Sequence, residues 1–307
     1  MNLPQRATSR IAAWLRRGTI AVCLCVTPFT HASALLLLPE GSVTLIRGTS
    51  VFAVDAPLAT QPGDLLTTNA QSGAQLEDAN GTLVALGPLT RLSIDAPPHG
   101  EDAAGLPSLS LLAGWIKLSR SGAGGPGPLL LDTSSIHIAL RQGSSAVHAA
   151  GTSSALFVET GSAMVTLPEG RDAPQTIAAD GYLEREPGKP PVLSARPATA
   201  FVSQLPLPFR DPLAPLTPPA AHNPAKPVTP LQGRPVAYAD LADWLACSLP
   251  VRHTFVSRFR GLIHTEPFRT QIRLNLHALP EWRPVLYPPP PLPPQRPRAP
   301  RPSAEES

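Results

Sequence analysis

Residues 74–86 read AQLEDANGTLVAL, two short strand-like runs on either side of a turn. In Ala74–Glu77 and in Thr82–Leu86 the run is short and apolar enough for a strand. Between them stands Asn80-Gly81, a pair that favours the positive φ angles of a type I′ turn. The stretch therefore predicts a β-hairpin.

Similar runs continue on both sides of this hairpin, from Leu35 to about Ala195. They recur at roughly ten-residue spacing, which is typical of a sandwich, a barrel or a short β-solenoid. Gly63-Asp64 and Asp180-Gly181 mark tight turns, and no helical periodicity interrupts the pattern. We therefore predict a mainly β domain over residues 35–195, in the form of a short solenoid or sandwich. The further strand candidates are Ser42–Ile46, Val51–Val54, Leu65–Leu66, Arg91–Ile94, Leu109–Leu118, Ile136–Leu140, Ala155–Glu159, Ala163–Leu167 and Gln175–Ala178.

The rest of the chain is rich in proline, with 24 of the 40 prolines in residues 196–307. Such a density cannot sustain a packed domain throughout. We expect an extended, Pro-rich linker over 196–235 and a disordered, Pro-rich tail over 284–307. Between them, residues 236–283 change character and predict a small helical element.

Three short helices are expected in this element. Asp240 can cap the first, whose inner face would be Leu241, Trp244 and Leu245. Ser248 and Pro250 are start signals for a second helix, and Thr265 and Pro267 for a third. Five arginines would then decorate the outside, and we expect them to contact a partner or the β domain: Arg252, Arg258, Arg260, Arg269 and Arg273.

Charge is distributed unevenly along the chain. Residues 35–195 carry 8 basic and 15 acidic residues, a net charge of −7, whereas residues 196–307 carry 13 basic and 7 acidic residues, a net charge of +6. The sequence pI of about 9.0 thus describes no single surface. It does not favour nucleic acid as a partner.

The first 34 residues resemble a signal peptide. Four arginines without an acidic residue precede a short apolar stretch, Thr19–Phe29, and Ala32-Ser33-Ala34 forms a cleavage site. We therefore expect export to the periplasm and a mature chain that begins at Leu35; an uncleaved membrane anchor is the alternative. After cleavage Cys247 would be the single thiol, and no other stretch is apolar enough to span a membrane.

Motifs that could carry chemistry are weak. The run 122–127 matches G-x-G-x-x-G, but Pro126 and Pro128 prevent the helix that would bind a pyrophosphate. The run 151–155 approximates a nucleophile elbow, which requires a turn from a strand to a helix. Strand-like sequence flanks it on both sides, which favours a serine in a β-turn instead. His137 and His148 have no companion at metal-ligand spacing. We expect no catalytic residue, cofactor or metal site.

An ordered series of short sequence motifs, over about residues 40–170, resembles the FecR-domain family. The series begins with the phrase at 62–68 and ends with the closing strands at 157–165; residues 141–144, Arg-Gln-Gly-Ser, depart from the Arg-Gly-Thr that the family often shows. The matching phrases are PGDLLTT (62–68), AQL (74–76), NGT (80–82), LGPLT (86–90), LLAGWI (111–116), LDT (131–133) and FVETGSAMV (157–165).

The resemblance implies a β fold and a non-catalytic, periplasmic protein-contact or scaffolding role, with a link to signalling or iron-uptake regulation. Full regulators of the family carry a cytoplasmic anti-sigma segment before the β domain. Here only about 18 residues precede the apolar stretch, so we expect no such segment. The expected partner is an envelope protein. The alternative is an accessory protein that binds the cell wall or a surface polymer.

Overall fold

The computed structural model describes residues 35–96, 106–122, 127–168, 173–217 and 232–288. The predicted signal peptide, residues 123–126 of the glycine-rich run, residues 218–231 of the predicted linker and the tail from residue 289 lie outside the described residues. In the described part of the chain, no helix combines the length and apolarity that a membrane crossing requires.

Strands make up 41% of the described residues and helices 21%, which confirms the mainly β prediction. The hairpin predicted from residues 74–86 is formed by β6 and β7. The strands are β1 (Leu36–Glu40), β2 (Val43–Arg47), β3 (Ser50–Val54), β4 (Leu58–Ala59), β5 (Leu65–Thr68), β6 (Gly73–Glu77), β7 (Thr82–Leu86), β8 (Arg91–Ile94), β9 (Leu109–Arg120), β10 (Leu129–Asp132), β11 (His137–Ala150), β12 (Ser153–Thr166), β13 (Gln175–Ala178), β14 (Tyr182–Arg185), β15 (Val192–Ser194) and β16 (Arg234–Pro235).

The strands form two layers that share three long strands. In the first layer, β3, β2, β5 and β8 lead to the first half of β9, followed by β10, the first half of β11, the second half of β12, and β13. In the second, β4, β1, β6 and β7 lead to the second half of β9, the second half of β11, the first half of β12, β14 and β15. The chain therefore turns from one layer to the other within β9, β11 and β12.

A glycine in the left-handed region lies at each of these three corners. The φ angles of Gly114, Gly143 and Gly161 are 96°, 114° and 74°. A Cβ atom on Gly143 would lie 2.0 Å from the carbonyl oxygen of Thr160, and one on Gly161 would lie 2.3 Å from that of Gln142. Only glycine fits where the bent strands approach each other this closely.

The core lies between the two layers and is aliphatic. Leu45 and Leu66 enter it from the first layer, and Leu76, Val84 and Ile116 from the second; each is at most 1% exposed. These side chains come from alternate positions of their strands, which is why the period-two pattern was visible in the sequence.

The hairpin turn differs from the type I′ turn that Asn80-Gly81 predicts. Gly81 has a positive φ angle of 81°, but Asn80 does not. The connection is a four-residue loop in which the Asp78 carboxylate accepts hydrogen bonds from the backbone N–H groups of Asn80 (2.9 Å) and Thr82 (2.7 Å). These two hydrogen bonds fix the conformation of the loop, as a two-residue turn would otherwise do. At the second predicted turn, Asp180 does have a positive φ angle, 65°, so that tight turn is confirmed.

The first half of the predicted linker packs on the second layer and is not simply extended. It forms α1 (Thr199–Gln204) and a short 3₁₀ turn, Leu207–Phe209. Phe201 and Phe209 are buried against Trp115 and Tyr182 on the outer face of the sheet. We call residues 199–217 the strap. Its two phenylalanines anchor a segment whose proline content alone predicts an open chain.

Buried polar groups also hold the strap. The Lys117 ammonium, 1% exposed, donates to the Glu159 carboxylate (2.8 Å) and to the carbonyl oxygens of Phe209 (2.7 Å) and Asp211 (2.9 Å). The buried Glu77 carboxylate accepts from the Leu216 N–H (2.6 Å) and from the Thr217 hydroxyl (2.6 Å). Each charged group thus has hydrogen-bonding partners where water is excluded.

The helical element docks on the outer face of the first layer. Ile46, Val51 and Leu65 of the sheet share one apolar cluster with Leu241 and Phe259. At the edge of the sheet, β16 pairs with β3, and the Val236 N–H donates to the Thr49 carbonyl oxygen at 3.0 Å. Helical structure continues past the predicted end at residue 283. The helices are α2 (Tyr238–Ala246), α3 (Arg252–Phe259), α4 (Glu266–Leu274) and α5 (Arg283–Leu286), with 3₁₀ turns at Arg260–His264 and Pro280–Trp282.

Candidate protein-contact surface

The first helix of the element begins three residues earlier than the sequence predicts: its N-cap is Ala237 and not Asp240. Asp240 lies in the first turn of α2 and accepts a hydrogen bond from the Ala237 N–H (2.8 Å). Its carboxylate also binds the Arg234 guanidinium, which lowers the pKa of Asp240. Leu241, Trp244 and Leu245 are buried, as predicted. Asp240 thus stabilises the helix from its third position.

In α3 and α4, buried side chains four residues apart fix the direction in which the arginines point. Phe255 and Phe259 are buried in α3, and Phe268 and Ile272 in α4. Their spacing places one stripe of each helix against the cluster, as helical periodicity requires. The remaining positions of α3 and α4 carry four of the five arginines that the sequence singled out, and Arg260 follows α3 directly.

Arg258 points toward the sheet and not toward solvent. Its guanidinium donates to the carbonyl oxygens of Gly48 (3.1 Å), Ile46 (3.1 Å) and Gly63, and its Cζ lies 4.6 Å from the centroid of the Phe259 ring. Burial lowers the pKa of Arg258, while the charge of Asp64 opposes that effect. The expectation that Arg258 decorates the outside is wrong, because three backbone acceptors at one end of the sheet bind its planar head.

The carbonyl-rich end of the sheet is organised by an ion pair beneath Arg258. The guanidinium of Arg47 binds Asp64 through both carboxylate oxygens, at 2.8 and 2.6 Å. Asp64 is 1% exposed and also accepts from the Gln61 N–H at 2.8 Å. This pair orders the 61–64 turn, which presents the Gly63 carbonyl oxygen to Arg258.

Arg252 also acts within the helical element. It pairs with Glu281 through two contacts, 2.9 and 3.0 Å, and donates to the carbonyl oxygens of Ala278 (2.7 Å) and Cys247 (3.1 Å). Burial is the largest single effect and would raise the pKa of Glu281, but the hydrogen bonds to its carboxylate and the nearby positive charges, chiefly those of Arg252, together lower that pKa. Arg252 is therefore half-buried, and it joins the start of α3 to the 3₁₀ turn before α5.

The other three predicted arginines are exposed. Arg269 and Arg273 lie one helical turn apart on α4, and Arg260 begins the 3₁₀ turn that packs on α4. None of the three makes an ion pair with another residue that the structure describes. We call Arg260, Arg269 and Arg273 the arginine surface.

Charge attraction between basic helices and an acidic β domain does not explain the docking. The one cross-domain ion pair among the described residues has the opposite arrangement, with Arg91 on the sheet and Asp243 on α2. Apolar burial and the backbone contacts of Arg258 hold the interface instead. The positive charge of the arginine surface is thus not used by the docking.

A cavity of about 510 Å³ lies between the first layer and α3. Asp95, Asp132 and Arg258 line it. Burial raises the pKa of Asp95, even though its carboxylate accepts from the hydroxyls of Ser93 and Ser110, each at 2.5 Å. In the described residues, no three His, Cys, Asp or Glu side chains come together as a metal site.

The two histidines that the sequence analysis considered as metal ligands each contact another side chain of the β domain. His137 Nδ1 lies 2.6 Å from the Asp132 carboxylate, and His148 stacks on Trp115 at 4.3 Å between ring centroids. The hydrogen bond to Asp132 raises the pKa of His137, whereas burial lowers that of His148. Ser154, from the elbow-like run, donates to the Thr133 hydroxyl at 2.8 Å in the strand β12.

Sequence reasoning missed the groups that attach the strap. Lys117 and Glu77 stand at strand positions that period two assigns to the outer face, where charged residues usually meet solvent. The available signal was Phe201 and Phe209 in a segment otherwise rich in proline. Two aromatic residues in such a segment indicate a surface that must be covered.

Comparison with known proteins gives a partial structural likeness. No family model matches the chain, and no curated protein matches it. Two crystal structures of a "putative anti-sigma factor" from Parabacteroides distasonis are similar to part of it, with TM-scores of 0.36 and 0.37 and sequence identities of 17% and 16%. Each match covers 46% of this chain and 64% of the other. The protein thus resembles these chains over just under half of its length.

Proposed function

We propose that this chain is an exported, non-catalytic FecR-type module of the cell envelope that binds an acidic protein through its arginine surface. In this proposal the β domain is a rigid support and the helical element carries the contact. A role in signalling or iron-uptake regulation would follow from the identity of that partner.

Export is supported by the sequence before Leu35 and by the residue itself. Four arginines, a short apolar stretch and Ala32-Ser33-Ala34 precede it. Leu35 is fully buried, and its carbonyl oxygen accepts from the N–H (2.8 Å) and hydroxyl (2.9 Å) of Thr60. A mature chain that begins at Leu35 would keep this first core residue.

The observation that carries the binding proposal is the contrast among the five arginines. Arg252 and Arg258 are bound by groups of the chain itself, whereas Arg260, Arg269 and Arg273 are exposed. Unpaired arginines on a rigid helix are suited to carboxylates of a partner, because the guanidinium can bind both oxygens at once. Such contacts mainly set the association rate and the specificity, and they weaken with salt.

The proposal of a non-catalytic role is supported by the partners of the buried charged side chains, which are all groups of the fold itself. Lys117 is bound to Glu159 and the strap, Glu77 to the strap, and Arg47 to Asp64. Their hydrogen bonds hold the fold together, whereas a catalytic group has to face a substrate.

The test is capture of envelope proteins by the full chain, compared with Arg269→Glu/Arg273→Glu and with Arg141→Glu. Arg141 is an exposed arginine of the β domain and serves as the matched control. We expect a prey that the wild type and the Arg141 variant retain equally and that the α4 variant binds about tenfold more weakly, with the difference lost at high salt. Equal capture by all three proteins would contradict the proposal.

Location and polymer binding are tested in the same preparation. Fractionation and N-terminal sequencing should find a periplasmic chain that starts at Leu35. Retention on purified cell wall, unaffected by the α4 substitutions, would favour the polymer-binding alternative over the protein-binding one.

A further inference from the structure

A groove of about 890 Å³ lies between the start of α2 and the start of α4. Its walls are apolar and contain two prolines and two aromatic rings, Pro235, Tyr238, Pro267 and Phe268. Tyr238 and Phe268 stand edge to face, with their ring centroids 6.0 Å apart. Aromatic rings beside prolines form the type of surface that recognises a polyproline II segment.

The groove also offers polar groups to such a segment. The hydroxyl of Tyr238 makes no hydrogen bond to another described residue, and the Gln271 side chain is exposed on the α4 wall. A polyproline II helix has no internal hydrogen bonds, so its carbonyl oxygens seek donors of this kind. The arginine surface is not part of the groove: Glu266 and Thr270 line it, while Arg269 and Arg273 lie on another side of α4.

This chain carries a matching segment beside the groove. Residues 288–294 read PPPPLPP. They follow α5, which begins directly after Trp282, and the Trp282 ring lies 5.8 Å from that of Phe268 in the groove wall. Since α5 has four residues and spans about 6 Å, the proline run starts close to the groove.

The charges also favour this proline-rich segment as the ligand of the groove. Glu266 is exposed and is the only charged residue in the groove lining. Arg296 follows Pro288 by eight residues, about 25 Å in a polyproline II helix. That length carries the arginine across the groove and to its acidic rim.

We propose that residues 289–296 of this chain fold back and occupy the groove between α2 and α4, with the prolines on Tyr238 between Pro235 and Pro267, and with Arg296 at Glu266. The groove is then a polyproline-binding site whose resident ligand belongs to the same molecule. This inference does not depend on the arginine surface, so either proposal can fail alone.

Disulfide trapping in the full chain tests the contact. In a background with Cys23, Cys25 and Cys247 changed to alanine, Leu292→Cys is combined with Gln271→Cys in the groove wall. The matched control combines Leu292→Cys with Ser257→Cys, an exposed position on α3. We expect the groove pair to close at least about tenfold faster than the control pair, at a rate that does not change on dilution, as an intramolecular reaction requires. Equal rates for the two pairs, or crosslinks that form only between molecules, would overturn the proposal.

A second measurement uses the unaltered chain and needs no variant to fold. Trypsin can cut after Arg298, which precedes Ala299, whereas Arg296 and Arg301 precede prolines. A synthetic peptide with the sequence of residues 288–296, added in excess, should displace the tail and speed this cleavage several-fold. A peptide of the same length in which alanine replaces every proline should not. If both peptides leave the rate unchanged, the tail does not occupy the groove.

Discussion

The ammonium of Lys117 lies 2.8 Å from the carboxylate of Glu159, under a strap that buries the lysine fully and the glutamate in part. The lysine also donates to two strap carbonyl oxygens, those of Phe209 and Asp211. The ion pair therefore links the sheet to a segment about 90 residues further along the chain.

Lys117→Met should release the strap. The change leaves a partly buried carboxylate and two carbonyl oxygens without their donor, at a cost of about 3–5 kcal/mol in the free energy of unfolding. Urea denaturation measures this loss, and trypsin should cut faster after Arg210 within the strap. Lys189→Met, which removes an exposed ion pair with Glu186, should leave the stability essentially unchanged. A similar small loss for both variants would show that the strap does not depend on Lys117.

Arg258→Ala should loosen the helical element from the sheet. Three carbonyl oxygens lose a charged donor, and the expected loss is about 2–4 kcal/mol. The fluorescence of Trp244 and Trp282, both buried in the element, should change before the β domain unfolds. Arg260→Ala, two residues away and exposed, is the control and should stay within about 0.5 kcal/mol of the wild type. Equal stability of the two variants would contradict the role of Arg258.

Gly143→Ala should be severely destabilising, by about 4 kcal/mol or more, because its new Cβ would lie 2.0 Å from the Thr160 carbonyl oxygen. Gly151→Ala provides a matched control: its φ angle is also positive, 61°, but no atom lies within 4 Å of the new Cβ. That variant should lose only about 1–2 kcal/mol from backbone strain. Thermal unfolding compares the two, and equal losses would mean that the corner tolerates a side chain.

His137 and His148 should give opposite pH dependences. The hydrogen bond to Asp132 raises the folded-state pKa of His137 above 6.5, so its contribution is present below pH 6.5 and is lost as the pH rises through the raised value. Burial lowers the pKa of His148, so the unfolded chain binds more protons below pH 6.5 and stability falls there. Urea denaturation at about pH 5.5, 6.5 and 8 separates the two effects. His137→Gln should remove the loss of stability that occurs as the pH rises above 6.5, and His148→Gln the loss that occurs as the pH falls below 6.5. If the dependence of stability on pH is unchanged in both variants, both assignments are wrong.

Local pattern was enough to predict most of the strands and the buried face of α2. Period two placed Leu45, Leu76 and Val84 toward one side of their strands, and a spacing of three and four placed Leu241, Trp244 and Leu245 on one side of α2. Both patterns depend only on neighbours along the chain. The predicted strand bounds leave Gly143 and Gly161 between strands, whereas each lies inside one long strand. Only the opposing backbone shows why glycine is required there.

The candidate site could be predicted only in part, for a similar reason. The sequence shows which side of α3 is apolar, but not that a second surface, the end of the sheet, meets the side that carries Arg258. Likewise, proline density describes the local stiffness of residues 196–217 and not the two phenylalanines' distant partners, Trp115 and Tyr182. In each case the sequence does not show which distant surface the segment packs against, because that is decided by tertiary packing.

The three strands that run through both layers also bear on how the domain responds to force. A sandwich whose layers are joined only at loops can be sheared apart by breaking side-chain contacts. Here β9, β11 and β12 carry covalent backbone across the core at Gly114, Gly143 and Gly161. Tension applied to one layer is transmitted directly to the other, so the two layers should yield together, in a single step, when the ends of the domain are pulled.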